Sequence, residues 1–170
     1  MEQLTPTMPA SQPGGAAAVN PLALLLPPGN ILCDLDVPSK GRALEAIGRL
    51  LGERHGLAPA AVAAALAARE DLGSTGLGQG MAIPHARMKG LRHVIAGFVR
   101  LLLPIPFDAP DSKPVSAMLV LLVPERAREE HLQLLAWAVQ MFADRRFREE
   151  LGQCADAEAI HRLFACWTAR

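Results

Sequence analysis

The chain has 170 residues, which is enough for one domain with a sizeable hydrophobic core. It carries 17 basic and 17 acidic residues, so its formal charge is zero and no overall field favours nucleic acid or an anionic membrane as a partner. Its three cysteines, Cys33, Cys154 and Cys166, are widely spaced without a Cys-x-x-Cys motif, which indicates reduced thiols rather than a disulfide framework or a zinc site.

The N-terminal region is rich in Pro, Ala and Gly and has no hydrophobic periodicity. Residues 1–20 are therefore predicted to form a flexible tail ahead of a single domain over residues 21–170. No Lys or Arg precedes Lys40, and the apolar run PLALLLPP is too short to span a bilayer. Neither a secretory signal nor membrane insertion is expected, and a cytoplasmic location is predicted.

Strand and helix patterns then alternate. The segment ILCDLDV (31–37) has a two-residue repeat, which predicts a half-buried strand near a sheet edge with one apolar face, made of Ile31, Cys33, Leu35 and Val37. Ser39 is predicted to cap a helix that ends at Gly56. A second, alanine-rich helix is predicted to begin near Pro59.

Three further strands are predicted in MAIPHA, HVIAGFVRLL and PVSAMLVLLVP. Leu119 to Val123 is apolar without alternation, so the last strand is expected to be central and covered on both faces. The helix in REEHLQLLAWAVQMFA follows, with a predicted apolar side made of Leu132, Leu135, Val139 and Phe142, and two short helices end the chain. This order predicts an α/β fold with a mixed β-sheet flanked by helices on both faces.

The most unusual segment is GSTGLGQGMAIPHAR, residues 73–87. Its glycines do not fit the dinucleotide motif G-x-G-x-x-G, and no Lys-Ser or Lys-Thr pair follows as in a nucleotide P-loop, so a plain connecting turn is one interpretation. Pro84, however, restrains the backbone directly before His85. An isolated histidine is more often structural, but with an unperturbed pKa of about 6.5 it is also a neutral nucleophile at cell pH.

Two runs, REDLGSTGLGQGMAIPHARMKGL and VLLVPERAREEHLQLLAWAVQMFAD, resemble the type-2 enzyme IIA domains of the bacterial phosphotransferase system. These form the fructose and mannitol family, and the resemblance is strongest to its nitrogen-regulatory branch. The similarity covers Leu24 to Phe164. It implies that His85, in the IPH position, accepts a phosphoryl group from the phosphohistidine of an HPr-type carrier, without a metal, nucleotide or other cofactor.

The resemblance implies further site residues. His131, in EEHL, matches the family's second active-site histidine, which would orient His85 or stabilise the phosphoryl group; from the residues alone it is a half-buried imidazole at a helix start. Arg69, in RED, matches the active-site arginine that would neutralise phosphoryl charge, or it is simply a helix-end charge. The loop residues Ser74, Thr75 and Gly76 are predicted to bind phosphate, or only to hold the turn.

The sequence is compatible with two downstream roles. In nitrogen-regulatory members, phosphorylation controls partner proteins such as sensor kinases or transporters, whereas in sugar-transport members the phosphoryl group passes to a IIB domain. The absence of a permease segment and of a IIB-like cysteine loop from this sequence favours the regulatory role. A third alternative is a binding module that keeps the fold without transferring phosphate.

The sequence offers a candidate metal site and a candidate docking surface. A metal site built from His85, His93 and His131 lacks neighbouring carboxylates and is disfavoured. Partner docking is predicted at an apolar patch, unless its residues belong to the core: Met81, Met88 and Leu91.

Overall fold

The computed structural model describes residues 20–169, apart from the side chain of Glu130, and residues 1–19 of the predicted tail lie outside this range. Asn20 is fully buried. Its side chain accepts a hydrogen bond from the backbone N–H of Leu22 and donates one to the carbonyl of Phe164. The described chain therefore begins with a residue that ties the first helix to the last.

The described elements are named in chain order. The helices are α1 (Pro21–Leu25), α2 (Lys40–His55), α3 (Pro59–Asp71), α4 (Glu129–Ala143), α5 (Arg145–Gln153) and α6 (Ala157–Cys166), with a 3₁₀ turn at Pro28–Asn30. The strands are β1 (Ile31–Leu35), β2 (Gly76–Gly78), β3 (Met81–Ala82), β4 (His85–Met88), β5 (Ile95–Ile105) and β6 (Val115–Pro124).

The strands form one mixed sheet in the order β1-β5-β6-β3-β2, and β4 also pairs with β6. β5 and β6 are antiparallel, whereas β3 and β4 run parallel to β6. Residues of α2 and α3 pack on one face of the sheet, and residues of α1, α4, α5 and α6 pack on the other. The predicted mixed sheet with helices on both faces is confirmed.

The central position of β6 is also confirmed. Leu119 and Leu121 pack into the layer that contains α4, and Met118, Val120 and Leu122 pack into the layer that contains α2 and α3. All five side chains are fully buried. Burial of each side chain stabilises the fold by about 1.5–3 kcal/mol. The strand β4, which carries His85, therefore pairs with a well-anchored strand.

The α2–α3 hairpin forms as its sequence predicts. The Ser39 side chain caps α2, and Gly56 ends it in the left-handed conformation at φ 68°. A Cβ atom at Gly48 would lie 2.6 Å from the carbonyl oxygen of Pro59, so the absence of a side chain lets the two helices approach closely. This packing holds the first turn of α3 against α2.

The predicted faces of β1 are only half right. Ile31 and Cys33 pack into the layer with α6, but Leu35 and Val37 pack into the layer with α2. Asp34 adopts φ 55°, and the register with β5 shifts between Leu32 and Leu35. Because a bulge of one residue turns every later side chain to the opposite face, the single predicted apolar face is wrong beyond Asp34.

Two residues of the predicted apolar side of α4 are exposed. Leu132 is 65% exposed and Val139 is 45% exposed. The helix packs instead through the neighbouring stripe, whose buried residues are His131, Leu134, Ala138, Met141 and Phe142. The sequence pattern was ambiguous because α4 is apolar on more than one side, and the result is an exposed apolar stripe beside a buried histidine.

Candidate active site

His85 is the first residue of β4 and is half-buried. The predicted MAIPHA strand is interrupted at Ile83–Pro84, where the Ile83 N–H donates to the carbonyl of Thr75 and the Pro84 carbonyl accepts from the N–H of Leu121. The Nδ1 atom of His85 lies 2.8 Å from the carbonyl oxygen of Ile83. A carbonyl can only accept, so Nδ1 carries the proton and the lone pair of the neutral ring is on Nε2.

His131 lies in the first turn of α4 and its ring centroid is 5.4 Å from that of His85, with the rings tilted by 51°. The residue is 9% exposed, and its Nε2 atom is buried without a hydrogen-bond partner among the described residues. A buried polar atom of this kind normally has a partner. The structure thus joins the two histidines and leaves a ring nitrogen available for a group bound between them.

Both rings are held in the neutral form. Burial lowers the pKa of His85, opposed by the hydrogen bond to Ile83; the charge of Arg69 lowers it further and that of Glu70 raises it. Burial also lowers the pKa of His131, and the positive charges of the protonated form of His85 and of Arg87 lower it further. Because both values fall below 6.5, the rings are uncharged at neutral pH and His85 has a free lone pair.

Arg69 lies in the last turn of α3, where its Nη1 atom donates to the carbonyl of Gly73 at 2.9 Å. Its influence on the pKa of His85 indicates that the guanidinium is close enough to act on that ring. The guanidinium has five N–H donors, so the bond to Gly73 leaves others for an anion. Its role in neutralising phosphoryl charge stays a prediction.

Ser74 and Thr75 lie in the loop between α3 and β2, and Gly76 is the first residue of β2. The Ser74 hydroxyl donates to the carbonyl of Phe107 at 2.6 Å and accepts from the N–H of Gly76. The Thr75 hydroxyl and N–H both donate to the carboxylate of Glu70. These groups hold the loop next to the histidines, and their binding of phosphate stays a prediction.

Glu70 is a site residue that sequence reasoning missed. It is 7% exposed, accepts from Thr75 and forms an ion pair with Lys40 at 3.1 Å. A carboxylate in the last turn of a helix lies at the negative end of the helix dipole, which is unfavourable. This unfavourable position of Glu70 was the one signal in the sequence that another contact stabilises its carboxylate. Arg87, whose guanidinium reaches the segment before α4, was missed as well.

No group of three or more His, Cys, Asp or Glu residues suited to a metal ion is present in the described range. His93 is exposed in the turn before β5 and is not part of the His85–His131 pair. No helix between residues 20 and 169 is long and apolar enough to cross a membrane.

The apolar surface near the site differs from the predicted patch. Met81 is buried in the layer that contains α4, so the predicted patch is wrong for Met81, whereas Met88 and Leu91 are partly buried against the layer that contains α2 and α3. Four of the exposed apolar side chains matter for this comparison: Leu72 (86%), Leu132 (65%), Val139 (45%) and Leu77 (39%). Leu77 and Val139 line one shallow depression, and Leu132 follows His131 directly.

The sequence matches the family described as the phosphoenolpyruvate-dependent sugar phosphotransferase system, EIIA 2, over residues 24–166. The chain belongs to this family. Enzyme IIA domains of this type take part in phosphoryl transfer and pair with phosphocarriers or IIB domains.

Similar proteins support the nitrogen-regulatory resemblance. A nitrogen regulatory protein of Pseudomonas aeruginosa is 41% identical over 143 residues, which cover 84% of this chain and 93% of that protein. The crystal structure of the nitrogen regulatory protein IIA-Ntr from Neisseria meningitidis is 43% identical and superposes with a TM-score of 0.81, covering 84% of this chain and 98% of that one. The mannitol IIA of Escherichia coli shares the fold at 20% identity and a TM-score of 0.66, covering 81% and 96% of the two chains.

Proposed function

We propose that this enzyme IIA chain is a cytoplasmic phosphocarrier of the nitrogen-regulatory kind. It accepts a phosphoryl group from an HPr-type carrier onto His85, and its phosphorylation state controls partner proteins. The observation that carries this proposal is the hydrogen bond from Nδ1 of His85 to the carbonyl of Ile83, which leaves the Nε2 lone pair as the nucleophile on a ring whose centroid lies 5.4 Å from that of His131.

The transfer step follows from this arrangement. The lone pair on Nε2 of His85 forms the new N–P bond while the N–P bond of the donor histidine breaks, and its electron pair returns to the donor ring. The donor ring is protonated on its other nitrogen, so it leaves as neutral imidazole. Nδ1 of His85 keeps its proton, which stays hydrogen-bonded to the carbonyl oxygen of Ile83. Little covalent chemistry remains for the rest of the site, so positioning and charge neutralisation supply the rate.

His131 and Arg69 suit the remaining tasks. A phosphoryl group brings a charge of about −1.5 to −2, by analogy with other phosphorylated side chains. His131 offers an N–H from a buried position, the start of α4 offers unpaired backbone N–H groups, and Arg69 offers a planar set of charged donors. The exposed stripe of Leu132, Val139 and Leu77 gives a protein donor an apolar surface to cover.

The regulatory role is favoured over sugar transport by the relatives. The 41% and 43% identical proteins are both nitrogen regulatory proteins, whereas the likeness to mannitol IIA at 20% identity is one of fold. A phosphorylated sample mixed with IIB domains distinguishes the two roles: a regulatory protein keeps its phosphoryl group, and a transport component loses it to its IIB domain.

The test of the acceptor is incubation of the full chain with phosphoenolpyruvate, the general first enzyme and an HPr-type carrier, followed by mass analysis under alkaline conditions that preserve phosphohistidine. Wild type and His93→Gln should gain one phosphoryl group, because His93 is exposed and is not part of the His85–His131 pair. His85→Gln should gain none. Equal labelling of His85→Gln and wild type would overturn the proposal.

A further inference from the structure

Arg87 links the two histidine-bearing segments. It lies in β4, two residues after His85 and opposite Val123 of β6. Its Nη1 atom donates to the carbonyl oxygen of Glu125 at 2.8 Å and to that of Ala127 at 2.9 Å. One guanidinium thus holds two carbonyls of a segment that lies 38 and 40 residues further along the chain.

The segment that Arg87 holds leads directly into α4. β6 ends at Pro124 and α4 begins at Glu129, so residues 125–128 are the only connection between the central strand and the helix that carries His131. The connection has one further internal bond, from the N–H of Ala127 to the carbonyl of Pro124. Its path therefore sets where the first turn of α4 begins.

In the described part of the chain, the N-cap side chain of α4 does not fix the start of the helix. Arg128 occupies the N-cap position and makes no side-chain capping hydrogen bond. An ordinary Ser, Thr, Asp or Asn cap would satisfy a first-turn N–H and fix the entry of the chain. Here two charge-assisted bonds from Arg87 to the preceding carbonyls are the contacts that anchor the connection to the sheet.

We propose that Arg87 is a positioning residue for phosphoryl transfer: by fixing the 125–127 segment to β4, it holds His131 at its 5.4 Å separation from His85. The expected effect on transfer rests on the proposed function. The two hydrogen bonds from Arg87 to the 125–127 segment are present in the unphosphorylated chain and do not depend on that function. Independent support comes from electrostatics, because the charge of Arg87 contributes to the lowered pKa of His131 and so lies within range of that ring.

Arg87 is itself exposed, so its substitution should leave the core intact. Arg87→Met keeps an unbranched stem of similar shape and removes the guanidinium with its donors, and Arg87→Lys keeps the charge with a single ammonium in place of the planar fork. Arg49→Met, on the exposed side of α2, is the matched control. A misplacement of about 1 Å at a reacting group can cost about 100-fold in rate.

The first experiment measures amide hydrogen exchange and the ring resonances of His131 in the unphosphorylated variants. With Arg87→Met, exchange over residues 125–133 should quicken by about tenfold or more as the local opening becomes easier, and the His131 resonances should shift or broaden. Arg87→Lys should restore part of both signals, and Arg49→Met should match wild type. Unchanged exchange and unchanged His131 resonances in Arg87→Met would overturn the inference without bearing on the proposed function.

The second experiment measures single-turnover transfer from the phosphorylated HPr-type carrier. Arg87→Met should lower the maximal rate by about 10- to 100-fold and leave the half-saturating carrier concentration nearly unchanged. Combined with His131→Ala, it should cause little further loss, because coupled residues are not additive. Additive losses would mean that Arg87 acts on the phosphoryl group or the carrier directly and would overturn the inference; a wild-type chain that accepts no phosphate would instead refute the proposed function.

Discussion

Lys40, the first residue of α2, forms an ion pair of 3.1 Å with Glu70, near the end of α3. The pair lies next to the loop that joins α3 to β2. Lys40 also reaches Asp108 at 3.4 Å and lies over the ring of Phe107. The Glu70 carboxylate faces the N–H and hydroxyl of Thr75 at the same time. The pair therefore connects the two helices and the β5–β6 connection to the loop before His85.

Substitution of Glu70 should loosen this loop. Glu70→Gln replaces a carboxylate oxygen by an NH₂ group, which sets a donor against the donors of Thr75 or Lys40, and the free energy of unfolding should fall by about 1–3 kcal/mol. The maximal rate of phosphoryl transfer should fall as well, because the loop that flanks His85 is less well held. Denaturant unfolding and single-turnover transfer measure the two effects.

Glu45→Gln is the control for that substitution. Glu45 pairs with Arg42 on the surface of α2, and both side chains are more than half exposed. An exposed pair of this kind contributes well under about 1 kcal/mol, so stability and transfer should both match wild type. If Glu70→Gln and Glu45→Gln had the same stability and transfer rate, the buried contacts of Glu70 would stabilise the loop no more than an exposed ion pair does.

His131 should affect transfer much more than folding. His131→Ala removes the buried N–H donor next to His85, and loss of one such donor typically costs about 100- to 1,000-fold in rate. His131→Gln retains an N–H on a side chain of similar reach and should lose less. Rates from a phosphorylated carrier, with circular dichroism as a check of folding, would decide; wild-type rates in both variants would remove His131 from the site.

The lowered pKa values of His85 and His131 predict a pH dependence with a definite sign. Below pH 6.5 the unfolded chain binds more protons than the folded chain, so the free energy of unfolding should rise with pH across this window. The contribution of the neutral rings is complete above about pH 6.5 and is lost as the pH falls through the lowered values. The transfer rate should fall over the same acidic range, because protonation removes the lone pair of His85.

Denaturant midpoints measured from about pH 7.5 to about pH 5 would test this effect, because this range spans the ordinary histidine pKa. The double variant His85→Gln/His131→Gln should flatten the slope. It should not abolish it, because burial and the charge of Arg54 also lower the pKa of His55. A slope identical to that of wild type would show that the two rings titrate normally.

The elements that the sequence predicted well are those specified by local signals. The α2 helix has its cap at Ser39 and its left-handed glycine at Gly56, and β6 has an uninterrupted apolar run, so neighbours in the chain determine both. The bulge at Asp34 was not predictable, because a single residue in a left-handed conformation does not change the alternation of apolar and polar residues in the sequence. Register errors of this kind arise wherever pairing with a distant strand decides the face.

The candidate site divides in the same way. The resemblance identified His85 and His131, and the structure brings their rings together. The roles of Glu70 and Arg87 were missed because their partners are a loop hydroxyl and backbone carbonyls, and any residue can supply a carbonyl. Contacts of this type leave no trace in composition or spacing, although they determine how rigidly the two histidines are held.

Gly76 offers a test of how tightly the loop is packed. A Cβ atom there would lie 2.8 Å from Cβ of Ala109 and 3.0 Å from its Cα, so Gly76→Ala should force a backbone shift and cost about 1–3 kcal/mol of unfolding free energy. Gly41→Ala in α2 meets nothing within 4 Å and should instead gain about 0.5–1 kcal/mol, because alanine is the better helix former. Denaturant midpoints at an unchanged m-value separate the two signs. Should Gly76→Ala prove as stable as wild type, the loop must be free to move away from Ala109, and a rigid cradle next to His85 would no longer explain how the ring is positioned.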